Sequence, residues 1–103
     1  MIHVSTPCPN LDCARALANS ALKMRLAACA NITPDIVSLF HWQGRIEEEH
    51  EVLLTLKTRA DLRSDLVRLI ERDHPYDLPV ISWEQTGCTS DAAAWLSEET
   101  GGD

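Results

Sequence analysis

The chain has 103 residues, of which 45% are hydrophobic and 24% are charged, and it carries a formal net charge of −7 at pH 7. This length and composition predict a single folded domain, residues 1–103, built around one core. The negative charge repels phosphate groups, so we expect no nucleic-acid partner and no binding to anionic membranes.

The sequence contains no run of 18 apolar residues and no signal-peptide pattern at its start. We therefore expect no membrane span and a cytoplasmic location. A chain with this much apolar periodicity does not need disulfide bonds, so free thiols are expected at Cys8, Cys13, Cys29 and Cys88.

The start of the chain predicts a strand followed by a helix. Residues 2–6 are a short β-type run that Pro7 closes, and Asn10 is a good N-cap for a helix that runs to about Arg25. The predicted apolar stripe of this helix consists of Leu11, Ala14, Ala18, Ala21 and Leu22. Its many alanines indicate close packing against a sheet.

The next segment predicts a long β-hairpin. A second strand begins near residue 26, is interrupted at residues 34–35 by a proline and an aspartate, and resumes at Ile36. The Gln-Gly pair at residues 43–44 is a two-residue turn signal, and polar and apolar residues alternate through residues 45–58.

This hairpin is long for its domain. Residues 45–58, extended at ~3.4 Å each, would span about 48 Å, whereas a compact domain of this size is only about 34 Å across. The hairpin therefore bends at a bulge or projects beyond its own sheet, where unpaired edges need a partner. We expect the protein to be an oligomer.

A second helix follows the hairpin. Thr58 and Asp61 have the spacing of a capping box, and Pro75 ends the helix because it pushes the preceding residue out of the α region. The predicted apolar side of this helix consists of Leu62, Leu66, Leu69 and Ile70.

The end of the chain completes the predicted fold. Residues 80–84 are expected to form a fourth strand, and a last helix starts at Ser90 or Asp91 with Trp95 and Leu96 inward, before the final three residues fray. The order β-α-β-β-α-β plus a terminal helix predicts an α+β, ferredoxin-like fold with two helices on one face of an antiparallel sheet.

Two groups of side chains have metal-binding chemistry. Cys8 and Cys13 could meet a soft ion together, or they could be one loop thiol and one half-buried helix thiol. On the hairpin, His41 and His50 fall on the same predicted face as Glu48. This set could bind a divalent cation weakly, or its glutamates could protect an exposed strand edge.

Other side chains suggest capping, catalysis or an interface. His74 follows a predicted helix, where a histidine caps the helix or, paired with Glu51 or a cysteine, acts in catalysis. Trp42, beside the turn, indicates an interface or local packing. The sequence has no hydrolase, phosphate-loop or metalloprotease motif, so we expect a protein that is not an enzyme.

Four segments together resemble the CutA family, the divalent-cation tolerance proteins. They read RLAACANI from residue 25, FHWQGRIE from residue 40, EHEVLLTLKT from residue 49 and HPYDLP from residue 74. The resemblance implies a ferredoxin-like subunit in a homotrimer, hairpins that wrap neighbouring subunits, and a role associated with copper and other divalent metals. It also implies a ligand cleft between subunits at Cys29, Trp42, Glu51, Lys57, His74 and Tyr76.

Two positions depart from the family pattern. Ser5 stands where family members implicated in copper binding carry a cysteine, and Val80 stands where an acidic residue is usual. If a divalent metal such as copper binds as a cofactor, the candidate ligands in this chain are Cys8, His41 and His74. The alternative is a PII-type signalling trimer that binds a nucleotide or small metabolite between its subunits.

Overall fold

A computed structural model describes residues 1–102 and confirms the ferredoxin-like arrangement of α and β elements. Four strands form one antiparallel sheet, in which the second strand of the chain is followed by the third, the first and the fourth. The elements in chain order are β1 Ile2–Cys8, α1 Leu11–Lys23, β2 Cys29–Trp42, β3 Arg45–Thr58, a 3-10 turn Ala60–Leu62, α2 Arg63–Asp73, β4 Ser82–Gln85 and α3 Ser90–Glu99.

The core lies between α1, α2 and one face of the sheet. Alternate residues of β1 and β3 point toward the helices, and Val4, Leu54 and Leu56 have no exposed surface. They pack against small residues of α1 and large residues of α2, namely Ala14, Leu17, Ala18, Ala21, Leu66, Leu69 and Ile70. Burial of these apolar surfaces is the main stabilising term of the fold.

The predicted hairpin is present, and it both bends at a bulge and extends beyond the end of β1. The register of β2 against β3 shifts between Thr33 and Ile36, where Asp35 has a φ of 60° and bulges the strand. Gln43 and Gly44 both have positive φ, as a two-residue turn with the twist of its strands requires. The molecule is 48 Å long but only 24 and 21 Å across.

The first two elements differ from prediction at their ends. Strand β1 continues through Pro7 to Cys8, because Pro7 needs no hydrogen bond from its nitrogen at this end of the ladder. Asn10 caps α1 as expected, with Oδ1 accepting from Cys13 N at 2.8 Å. The predicted apolar stripe of α1 was wrong at three positions. Leu17 is buried although it was not predicted to be, and Leu11 and Leu22 are exposed.

The predicted capping box was wrong. Thr58 is still part of β3, and its hydroxyl donates to Leu26 O at 2.6 Å instead of capping the following helix. Helix α2 starts later, at Arg63, and its first turn has no side-chain cap. It ends at Asp73, two residues before Pro75, as predicted.

The C-terminal elements required three corrections. Strand β4 begins at Ser82, so exposed Val80 precedes it. Helix α3 buries Leu96, and Thr100 just after it is also buried, whereas Trp95 is 44% exposed and does not point inward as predicted. The residues after the helix were expected to fray, but Gly102 is held against it, because its N–H donates to the carbonyl of residue 97. Residue 103 lies outside the described part of the chain.

Candidate functional site

The main polar cluster lies where β1 ends and α2 gives way to an irregular segment. Its centre is Glu51, a β3 carboxylate that is 7% exposed. Tyr76 donates its hydroxyl to Glu51 Oε2 at 2.7 Å, which ties residues after α2 to the middle of the hairpin. This contact joins residues 25 positions apart in the sequence.

His74 is held in one orientation by two hydrogen bonds. Its Nδ1 accepts from the backbone N–H of Tyr76 at 3.1 Å, so this nitrogen carries no proton. Its Nε2 therefore carries the ring proton and donates to Pro7 O at 2.8 Å. Both ring nitrogens are thus occupied within the chain, and the ring bridges β1 to the segment after α2. His74 is also the C-cap residue of α2, as its position predicts, since its backbone N–H donates to Ile70 O at 2.8 Å.

The surroundings of the cluster favour the uncharged forms of Cys8 and Tyr76. Burial raises the pKa of the Cys8 thiol to about 11, and the nearby Cys13 and Glu51 act in the same direction. Burial also raises the pKa of Tyr76, with further contributions from its hydrogen bond to Glu51 and from the charge of Glu49. Tyr76 therefore remains a hydrogen-bond donor and Cys8 remains a thiol at neutral pH.

The six predicted cleft residues fall into three groups along the hairpin. Glu51, His74 and Tyr76 are in one cluster. Cys29 and Lys57 are directly opposite each other near the base, and Trp42 is paired with Arg45 at the tip. Lys57 and Arg45 each lie six positions from Glu51 on β3, which corresponds to about 20 Å along an extended strand.

The predicted metal ligands do not meet in one chain. His41 lies next to the turn opposite Ile46, about 20 Å along β3 from Val52, the residue opposite Cys8. Cys8 is fully buried, and both nitrogens of His74 are already bonded. Within residues 1–102, no group of three or more histidine, cysteine, aspartate or glutamate side chains is arranged to hold a metal ion.

The second predicted histidine of the hairpin has a local partner. His50 Nδ1 lies 3.3 Å from Asp35 Oδ1, across the strand pair at the bulge. Both side chains are exposed, so this contact contributes little to stability. The four cysteines are free thiols, as expected.

Two contacts of the cluster could not be predicted from the sequence. The Pro7 carbonyl accepts from His74, but a backbone acceptor has no signature in a sequence. The pairing of Tyr76 with Glu51 depends on how the segment after α2 crosses the end of β1. Glu51 did give one signal, since a carboxylate directly precedes the apolar run of β3 and is therefore close to the core.

The fold and this cluster define the class of protein, a ferredoxin-like domain with an extended β2–β3 hairpin and a polar cluster at the end of β1. The family described as CutA1 divalent ion tolerance protein matches residues 2–99. The chain therefore belongs to the CutA1 divalent ion tolerance family.

Named relatives and solved structures agree with this assignment. A divalent-cation tolerance protein CutA from Pyrococcus horikoshii is 41% identical over 101 residues, covering 97% of this chain and 98% of its own. A crystal structure of CutA1 from the same organism superposes with a TM-score of 0.91 at 39% identity, covering 96% of this chain and 97% of that one. CutA from Xylella fastidiosa gives a TM-score of 0.93 at 30% identity, with 96% of both chains covered.

Some relatives are longer than this chain. The chloroplastic CutA of Arabidopsis thaliana is 38% identical over 100 residues, which cover 96% of this chain but 55% of the plant protein. The match to mouse CutA covers 69% of this chain and 40% of the mouse protein. The chain thus spans about half the length of these relatives.

Three further expectations concern the PII-type alternative, a membrane span and the location of the protein. Neither the matched family nor the matched structures support the PII-type alternative. No helix among residues 1–102 is long and apolar enough to cross a membrane. The cytoplasmic location stays a prediction, since a solved structure from Archaeoglobus fulgidus, at a TM-score of 0.93 and 29% identity, is described as a periplasmic CutA.

Proposed function

We propose that this chain acts in tolerance of divalent cations, copper among them, as a homotrimer that binds a metal ion or a small ligand in clefts between its subunits. The proposed role is one of binding and not of catalysis, and its proposed location is the cytoplasm. The observation that carries the proposal is the outer half of the hairpin, residues 36–50, which lies beyond the reach of the chain's own core.

The outer hairpin carries large apolar side chains that residues 1–102 leave substantially exposed. Val37, Leu39 and Ile46 are 54%, 64% and 70% exposed, and the register places all three on one face. Phe40 and Trp42 are on the other face and are also exposed. A two-stranded ribbon that exposes large apolar side chains on both faces is marginal in water, so these side chains support packing against other copies.

The sheet offers a second surface for such packing. Its helix-free face carries Ser5 and Thr55, whose hydroxyls lie 3.0 Å apart, beside Lys57 and the partly buried Cys29. This face is polar but only partly exposed. Three such faces meeting around an axis would place the Cys29–Lys57 pair near the hairpin of a neighbour and form the proposed cleft.

A divalent ion would need donors from more than one copy. The candidates Cys8, His41 and His74 do not form a metal site within residues 1–102 of one chain. A hairpin that reaches a neighbour could bring its exposed His41 and Glu48 close to other donors. Copper binding is therefore expected to depend on the assembly.

Thermal unfolding with and without copper tests the proposal. A ligand that binds only the folded assembly raises the melting temperature by mass action, so we expect Cu(II) to raise it at concentrations where magnesium does not. The His41→Gln variant should lose part of this shift, whereas Asn19→Gln, on the exposed side of α1, should keep it. Equal melting temperatures with and without copper would contradict the metal-binding part of the proposal.

A further inference from the structure

Glu51 is a buried negative charge without a positive partner in the described part of its chain. It is 7% exposed, and none of the ion pairs among residues 1–102 includes it. Within residues 1–102, its carboxylate accepts one hydrogen bond, from the neutral hydroxyl of Tyr76. A carboxylate withdrawn from water is costly unless it is paired and hydrogen-bonded, so this site is electrostatically incomplete.

One carboxylate oxygen of Glu51 is still accessible. Tyr76 donates to Oε2, and the buried side-chain atoms that lack a partner within residues 1–102 are Thr6 Oγ1 and Arg59 Nε. Glu51 Oε1 is not among them and therefore keeps a path to solvent. Tyr76 is 37% exposed, and the centre of its ring lies 4.8 Å from that of His74.

The cluster is poorly suited to a metal ion. His74, the nearest nitrogen donor, uses both ring nitrogens in bonds to Pro7 and Tyr76. The Cys8 thiol is fully buried and its pKa is raised to about 11, so it resists ionisation. One carboxylate oxygen and a phenol hydroxyl are too few ligands for the coordination number of a divalent ion.

A small organic cation needs fewer and different groups. A primary ammonium or guanidinium group is satisfied by one carboxylate through a charge-assisted hydrogen bond. It also gains from an aromatic face within about 6 Å of the charge. Glu51 and Tyr76 supply both groups in contact with each other, and the chain's net charge of −7 attracts cations toward them.

We propose that Glu51 and Tyr76 form a receptor for a small organic cation carrying a primary ammonium or guanidinium group. The cation donates to Glu51 Oε1 and lies against the ring of Tyr76, while His74 holds the segment that carries this ring. This inference names the class of small ligand and to that extent rests on the proposed function, although both binding groups belong to one chain.

The chain contains a single tyrosine, so a selective probe is available. Labelling with 3-fluorotyrosine gives one fluorine NMR signal, that of Tyr76. Titration of the full chain with n-butylammonium chloride, against sodium chloride at equal ionic strength, is expected to shift this signal in a saturable way. A signal that does not shift in a saturable way would overturn the proposal. A basic side chain of another copy that already occupies the site would also abolish the saturable shift, and this too would overturn the proposal.

Matched variants identify the charge that binds. Glu51→Gln keeps the shape and an acceptor for Tyr76 but removes the charge, so the affinity for n-butylammonium should fall by at least about tenfold. Glu48→Gln makes the same change on the exposed hairpin and should leave the affinity unchanged. Equal affinities of the two variants would overturn the proposal.

A second variant decides the question if Glu51→Gln fails to fold. Glu51→Asp keeps the charge but withdraws it by one methylene, so weaker binding supports the proposal and unchanged affinity overturns it. Calorimetry on Tyr76→Leu should show about threefold weaker binding, because the aromatic face is lost. Undiminished binding by this variant would contradict the role of the ring.

The same samples separate this inference from the proposed function. A trimer by light scattering that shows no saturable shift overturns the cation receptor and leaves the assembly standing. A monomer that does bind n-butylammonium overturns the assembly and supports the receptor. A saturable shift produced equally by copper chloride would assign the cluster to metal ions and overturn the proposed ligand class.

Discussion

The two halves of the hairpin have the same strand pattern but different surroundings. At the base, β3 lies between β1 and β2 with helices on one face, and Leu54 and Leu56 have no exposed surface. In the outer half, β3 has only β2 beside it, and Leu39 and Ile46 are 64% and 70% exposed. The comparison shows that alternation predicts which side chains share a face, whereas burial depends on what covers that face.

The β-bulge at residues 34–35 separates the two halves. Asp35 has a φ of 60°, which bends β2 at the point where β1 ends opposite Val52. Beyond this point the chain continues to place large apolar residues on both faces of a ribbon. Such a sequence is compatible with solubility if other protein covers the ribbon.

The largest effect is expected from charges on the outer half. The double variant Leu39→Asp with Ile46→Asp places two carboxylates on one face of the ribbon, where burial in an interface would be strongly unfavourable. We expect light scattering to show loss of the trimer while far-UV circular dichroism keeps the strand and helix signals. The single variant Asn19→Asp, on the exposed side of α1, should remain trimeric. A double variant that stays trimeric would show that the outer half is not an interface.

The next largest effect is expected from a cavity at the base. Leu54→Ala removes a fully buried side chain from the core, and we expect the free energy of unfolding to fall by about 3 kcal/mol. The control Leu22→Ala makes the same change at an exposed position of α1 and should alter it by less than about 0.5 kcal/mol. Denaturant unfolding of both variants measures the difference. Similar losses would mean that the base is not the stable part of the sheet.

Two buried threonines at the base should respond in opposite directions. Thr58→Val removes the hydroxyl that donates to Leu26 O, so we expect a loss of about 1–2 kcal/mol. The hydroxyl of Thr6 has no partner within residues 1–102, so Thr6→Val should raise stability by about 1 kcal/mol. The same denaturant titration measures both, and a loss of stability in Thr6→Val would reveal a partner for this hydroxyl.

A smaller effect is expected at alkaline pH, at the junction of the two halves. The pKa of Cys8 is raised from its ordinary value of 9.0 to about 11 in the folded chain, so the folded state holds this proton more tightly than the unfolded state. This contribution is fully present below pH 9 and is lost as pH rises from 9 to 11. The raised pKa of Tyr76 contributes to stability with the same sign, and this contribution is lost as pH rises above 10, the ordinary pKa of its hydroxyl.

Cys8→Ala should therefore flatten the loss of stability between pH 9 and 10, by about 1 kcal/mol. Cys88→Ala makes the same change at an exposed thiol and should keep the slope of the wild-type protein. Denaturant unfolding at a series of pH values measures both. Identical slopes in the two variants would mean that ionisation of Cys8 is not linked to unfolding.

Much of the fold could be predicted from the sequence because its signals are local. The hairpin turn depends on Gln43 and Gly44, the bulge on residues 34–35, and the start of α1 on Asn10, and the structure confirms all three. The predicted capping box was wrong because Thr58 belongs to β3, where its hydroxyl donates to Leu26 O. Local spacing does not show which of two neighbouring elements will use a side chain.

The polar cluster could be predicted only in part. The resemblance places Glu51, His74 and Tyr76 in one cleft, and the structure brings these three together. Their relative positions depend on how the irregular segment after α2 crosses the end of β1. Hydrophobic periodicity in the sequence does not predict that path. Trp95 illustrates the same limit, because it lies beside Leu96 in the sequence but is 44% exposed, whereas Leu96 is buried.

The mass of the wild-type protein in solution shows whether other copies cover the outer half of the hairpin. Size-exclusion chromatography with light scattering at micromolar concentration should give the mass of three chains of 11.5 kDa. The outer hairpin would then be covered by neighbouring copies, as its exposed apolar side chains require. A mass of one chain, maintained across a concentration series, would contradict this account.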